Sequence, residues 1–85
     1  MSTKSRSQSV AKRRSLGFVV CINNNGYEVS LERLKLYQAL YDADARQNQQ
    51  IRVIDESGDD YIYPARFFAT VDLPKAVRRA ARQAV

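Results

Sequence analysis

Residues 51–71, IRVIDESGDDYIYPARFFATV, decide the fold class. Ile51, Val53 and Asp55 alternate with Arg52 and Ile54, the two-residue period of a strand. Gly58 stands where a three-residue hairpin loop needs a left-handed residue, a conformation that glycine adopts without steric penalty. Tyr61, Ile62 and Tyr63 resume a β-prone run, and Pro64 ends it because proline has no N–H for a sheet ladder. The stretch therefore predicts a tight hairpin, a proline-marked turn and a last short strand.

Upstream, residues 16–22, LGFVVCI, form a predicted strand, with Phe18, Val20 and Ile22 on one side and Val19 and Cys21 on the other. Asn23, Asn24, Asn25 and Gly26 make a turn. Residues 30–49 support two readings. A helix over 31–46, capped by Ser30, places Leu31, Leu34, Gln38 and Tyr41 at helical spacing and would make the fold α+β. A strand over 35–41 alternates Leu36, Gln38 and Leu40 against Tyr37, Ala39 and Tyr41, with a helical turn through Ala43–Gln47 leading to Ile51. Residues 74–84 predict a helix opened by Pro74, with Ala76, Val77, Ala80, Ala81 and Ala84 opposite Lys75, Arg78, Arg79 and Arg82.

The chain has 85 residues and a net charge of +5, which suits one small domain. Charge is unevenly spread. Residues 1–15 carry +5 with no acid, residues 74–85 carry +4 with no acid, and residues 16–73 carry all nine acids and a charge of −4. The first segment is rich in Ser, Lys and Arg and poor in apolar residues, the composition of a disordered tail. A transit segment is a second reading of that composition, opposed by the missing bulky apolar face. No stretch reads as a secretory leader or a membrane span, which points to a cytoplasmic protein away from membranes. The single cysteine, Cys21, has no intrachain disulfide partner.

Several segments together resemble one family. CIN at 21–23, Gly26, Ser30-Leu31, Lys35-Leu36-Tyr37, the run RVIDESGDDYIYP at 52–64 and Phe68 resemble a group of small, mostly uncharacterised bacterial and phage proteins. Their pattern is C-I-N-x-x-G, then S-L-x-x-G-K-x-Y, then V-I-D-x-S-G-E-D-Y-x-Y-P. The resemblance spans residues 18–73 and implies a mainly β, five-stranded barrel similar to Src-homology-3 domains, extended here by a C-terminal helix and a disordered N-tail. It favours the strand reading of 35–41. Leu34 departs from the pattern, since the group carries glycine before the lysine. The resemblance implies no catalytic residues.

The chain has no histidine, which removes Ser-His and Cys-His couples, and Cys21 alternates within a strand as an inert buried thiol does. Asp55, Glu56, Asp59 and Asp60 crowd one loop without the spacing of a calcium site. We therefore expect a non-enzymatic protein with no metal or cofactor. The first expectation is an adaptor that binds a protein partner through barrel-mouth aromatics Tyr37, Tyr41, Tyr61, Tyr63 and Phe67, with Asp59 and Asp60 meeting a basic surface. The alternative is sequence-nonspecific nucleic-acid binding through Lys12, Arg13, Arg14, Arg78, Arg79 and Arg82. Composition fixes neither the partner nor the oligomeric state.

Overall fold

The computed structural model describes residues 13–84, with side chains through Ala80. Five strands form one antiparallel sheet: β1 Ser15–Cys21, β2 Leu36–Leu40, β3 Gln50–Ile54, β4 Asp60–Pro64 and β5 Phe68–Thr70. Helix α1, Ala43–Gln47, joins β2 to β3, and α2, Lys75–Ala84, closes the described chain. The strand order is β4-β3-β2-β1-β5. Residues 35–41 thus take the strand reading, pairing Ala39 with Val53 and Leu40 with Arg52, and the helix over 31–46 does not form.

The order forces the sheet to curl. β4 and β5 lie at opposite edges, yet only a 3-10 turn, Ala65–Phe67, connects them. From Pro64 to Phe68 the chain reaches roughly 14 Å at most. Flat strands spaced about 4.8 Å apart would put those edges roughly 19 Å from each other. Rings confirm the curvature: Phe68 of β5 lies 6.3 Å from Tyr63 of β4 and 6.4 Å from Tyr37 of β2, centroid to centroid. No ladder joins β4 to β5 among the described residues, so the curled sheet stays open.

The concave face holds the core: Val19, Cys21, Tyr37, Ala39, Val53 and Tyr63, closed by Phe67, Phe68 and Leu31. Leu31 comes from the long β1–β2 loop, which covers this face. On β1 the core-facing side is Val19 and Cys21; Ile22 is exposed, and Phe18 is buried outside the core cluster. Both sides of that strand are apolar, so its period alone did not say which faces in.

The hairpin closes as its sequence requires. Gly58 has φ +88°, its N–H donates to the Asp55 carbonyl at 3.0 Å, and the Asp55 N–H donates to the Asp59 carbonyl at 3.0 Å. A comparable position lies at Leu34, which has φ +66° and donates its N–H to the Cys21 carbonyl. Left-handed backbone costs a branched L-residue about 1–2 kcal/mol. A glycine at that position would avoid this cost.

Candidate functional site

Three features surround the core, two of them clusters of polar side chains, and each sorts some of the candidate residues. The first ties the β1–β2 loop to the β3–β4 hairpin. Tyr37 is 2% exposed; its hydroxyl donates to Glu56 Oε2 at 2.5 Å and accepts from the Glu32 N–H at 2.7 Å. Lys35 reaches the same carboxylate at 2.7 Å. Tyr63 is 4% exposed and donates to Asp55 Oδ2 at 2.6 Å, sharing a 2.9 Å hydrogen bond with Ser30 Oγ. Asp55 Oδ1 accepts from the Ser57 hydroxyl and, at 2.8 Å, from the Ser57 N–H. A buried tyrosine needs a partner for its hydroxyl, and here each finds a carboxylate at the hairpin tip.

This pairing moves titrations predictably. Burial first, then donation to Asp55, pushes the Tyr63 phenol up to about 12. Burial and Glu56 push Tyr37 up as well. The hydrogen bond from Lys35 and that from Tyr37 hold Glu56 below the usual carboxylate range. Ser30, Lys35, Tyr37, Asp55 and Tyr63, which match the pattern the sequence resembles, are engaged with one another or with Glu56 inside the domain.

The second group is ionic. Arg52 donates from Nε to Asp42 Oδ2 at 2.8 Å and from Nη1 to Asp60 Oδ2 at 3.0 Å. Asp42 also caps α1 by accepting from the Ala45 N–H at 3.0 Å, and that bond with the Arg52 pair lowers its pKa. Arg13 adds a second cation, 3.8 Å from Asp42 and 3.9 Å from Asp60, and donates to the Tyr41 carbonyl at 3.0 Å. Two carboxylates and two guanidiniums leave the cluster neutral, which suits the deep burial of Asp60. Arg14 lies beside it, its guanidinium 5.0 Å from the centre of the Tyr41 ring.

The third feature is the free edge. β4 ends the sheet, so one side of its backbone has no neighbouring strand among the described residues. The Ala65 N–H bonds to the Gln49 carbonyl, and the Asp55 N–H to that of Asp59; these bonds fix the phase of the β3–β4 ladder. Paired residues alternate between bonded and non-bonded sites. Tyr61 and Tyr63 therefore turn their peptide groups toward β3, whereas Ile62 turns its N–H and C=O outward. Tyr61 is 42% exposed and Ile62 is 39% exposed, on opposite faces of this edge.

The candidates separate accordingly. Tyr37, Tyr63 and Phe67 are core residues and present no ring to a partner; burial, not spacing, decides this. Asp60 is committed to Arg52, and Asp59 is half-buried in the hairpin loop. Tyr41 is exposed at its rim but shares its ring with Arg14. Tyr61 alone of the five aromatics stands open on the edge, joined by Ile62, which the sequence reasoning passed over. Among the cationic candidates, Arg13 is held internally, Arg78 and Arg79 are exposed on α2, and Lys12 and the Arg82 side chain lie outside the description. The expected disordered segment 1–15 lies outside it through residue 12, while Arg13 and Arg14 are docked and Ser15 opens β1.

Cys21 is fully buried, and burial raises its pKa. Among the described residues there is no group of metal-ligating side chains and no helix long and apolar enough to cross a membrane. No family model, curated protein or solved structure matches this chain.

Proposed function

We propose that the chain is a non-enzymatic adaptor module of the cytoplasm whose curled sheet is an open, Src-homology-3-like barrel, and that it binds a protein partner at the β4 edge. One observation carries this reading: the outward-facing peptide group of Ile62 lies between the exposed side chains of Tyr61 and Ile62. An extended partner segment would gain main-chain hydrogen bonds there and pack one residue on each face. Pro64 offers no N–H, so the added ladder is short and centred on Ile62. The tyrosine-lined mouth contributes rigidity, because its hydroxyls are already satisfied inside.

Site-specific photo-crosslinking in the producing cell tests this. A crosslinker at Tyr61 should capture a defined protein, and one at Arg46 on exposed α1 should not. Adding Ile62→Pro to the Tyr61 crosslinker chain should abolish capture, because it removes the outward donor while every N–H that bonds to β3 is kept. Capture that survives Ile62→Pro, or that is equal at Arg46, would sink the edge reading.

A further inference from the structure

The described side chains of helix α2 are not covered by the other described residues. Lys75, Arg78, Arg79 and Arg82 fall at i, i+3, i+4 and i+7, so four basic positions share one face of the helix. At 1.5 Å per residue the row is roughly 10 Å long. No acid occurs between Pro74 and Val85, and Lys75–Ala80 are all exposed.

We propose that α2 docks on the phosphate backbone of nucleic acid, independently of base sequence. Charge complementarity selects that occupant. A duplex carries about one negative charge per 1.7 Å of axis, so roughly six phosphates accompany a row of that length at any register. A lipid surface suits the helix poorly. Its other side holds Ala76, Val77 and Ala80, with none of the Leu, Phe or Trp that anchor an interfacial helix. No aromatic lies between residues 74 and 85, so nothing there stacks on bases or favours one sequence.

The sheet's opposition is one charge below its formal −4, because Arg13, which lies outside residues 16–73, offsets one further acid. Asp42 and Asp60 are neutralised by Arg52 and Arg13, and Glu56 by Lys35. Asp55 is buried beneath Tyr63. The three ion-paired acids project little field outward, while Lys4, Arg6 and Lys12 add to the attraction for a polyanion.

The test uses the full chain and a mixed-sequence DNA duplex, with affinity read by fluorescence anisotropy between about 50 and 200 mM KCl. Compared with wild type, the combined substitution of Arg78, Arg79 and Arg82 by Gln should flatten the slope of log affinity against log salt by about 2–3. Affinity at about 100 mM should fall at least tenfold. Substitution of the same three by Lys should keep the slope, because phosphate contact here needs charge alone. Thermal unfolding of all three proteins should coincide, since the described residues of α2 are exposed.

Three results would overturn the proposal. The first is a Gln variant whose salt slope matches wild type. The second is a Lys variant as weak as the Gln variant, which would mark a guanidinium-specific protein contact. The third is tighter binding of the intact chain to phosphatidylserine vesicles than to duplex. The edge reading stands or falls separately, on crosslinking at Tyr61.

Discussion

Replacing Tyr63 with phenylalanine removes one oxygen from the interior and leaves the ring packing in place. That oxygen donates to Asp55 Oδ2 at 2.6 Å, and Tyr63 is 4% exposed. Asp55 keeps its bonds from Ser57 on Oδ1, but Oδ2 loses the donor it has. A hydrogen bond to a charged group contributes about 1.5–3 kcal/mol, and leaving its buried acceptor unpaired moves the loss toward the upper end. We expect Tyr63→Phe to cost about 2–3 kcal/mol in urea unfolding followed by circular dichroism. For a domain of this size that lowers Tm by roughly 8–24 °C.

The same substitution has a signature in alkali. The folded Tyr63 phenol is pushed up to about 12, against about 10 when unfolded. A raised folded pKa means a contribution complete below pH about 10 and lost as pH climbs through about 12. A shift of that size corresponds to a few kcal/mol, roughly 3. The wild type should therefore lose stability steeply across that window, with Tyr37 extending the loss upward. Tyr63→Phe should start lower and descend less steeply. A neutral-pH cost under about 0.5 kcal/mol, or an alkaline limb identical to wild type, would refute the buried phenol–carboxylate pair.

Three further outcomes are expected. Gly58→Val should destabilise by at least about 1 kcal/mol through its torsion alone, because an added Cβ meets nothing within 4 Å; a neutral result in urea unfolding would mean a different turn. Arg52→Gln should cost about 3 kcal/mol by leaving Asp42 and Asp60 facing each other without their nearest cation; a loss under about 1 kcal/mol would show that Arg13 suffices. Asp42 and Glu56 have lowered folded pKa values, so stability should fall as pH drops below about 4.5, and Arg52→Gln should soften that acid limb.

Backbone features were the legible part of the sequence. The alternation at 51–54, the loop glycine at 58, the terminating Pro64 and the helical turn Ala43–Gln47 each rest on local geometry, and each is present in the fold. Whether 31–46 formed a helix could not be read locally, since Leu34 hides a left-handed position behind a good helix former. The candidate site was harder for a related reason. A tyrosine has an apolar body and a polar tip, so its pattern suits a core and a binding face equally. What lets Tyr37 and Tyr63 be buried is a carboxylate for each hydroxyl, supplied by Glu56 and Asp55 from the tip of the hairpin. Arg13 likewise gains its role from Tyr41, Asp42 and Asp60, distant in sequence. The phase of the β3–β4 ladder, which turns Ile62 outward, depends on a register that two isolated strands do not specify.

The open β4 edge is the central claim, and native-state hydrogen exchange tests it most directly, one amide at a time. In the free protein the Tyr61 and Tyr63 amides should exchange slowly, held by β3, while the Ile62 amide between them exchanges quickly. Adding the protein captured by the Tyr61 crosslinker should slow Ile62 and leave its two neighbours as they were. An Ile62 amide already protected in the free chain, or one that stays fast in the complex, would contradict the account.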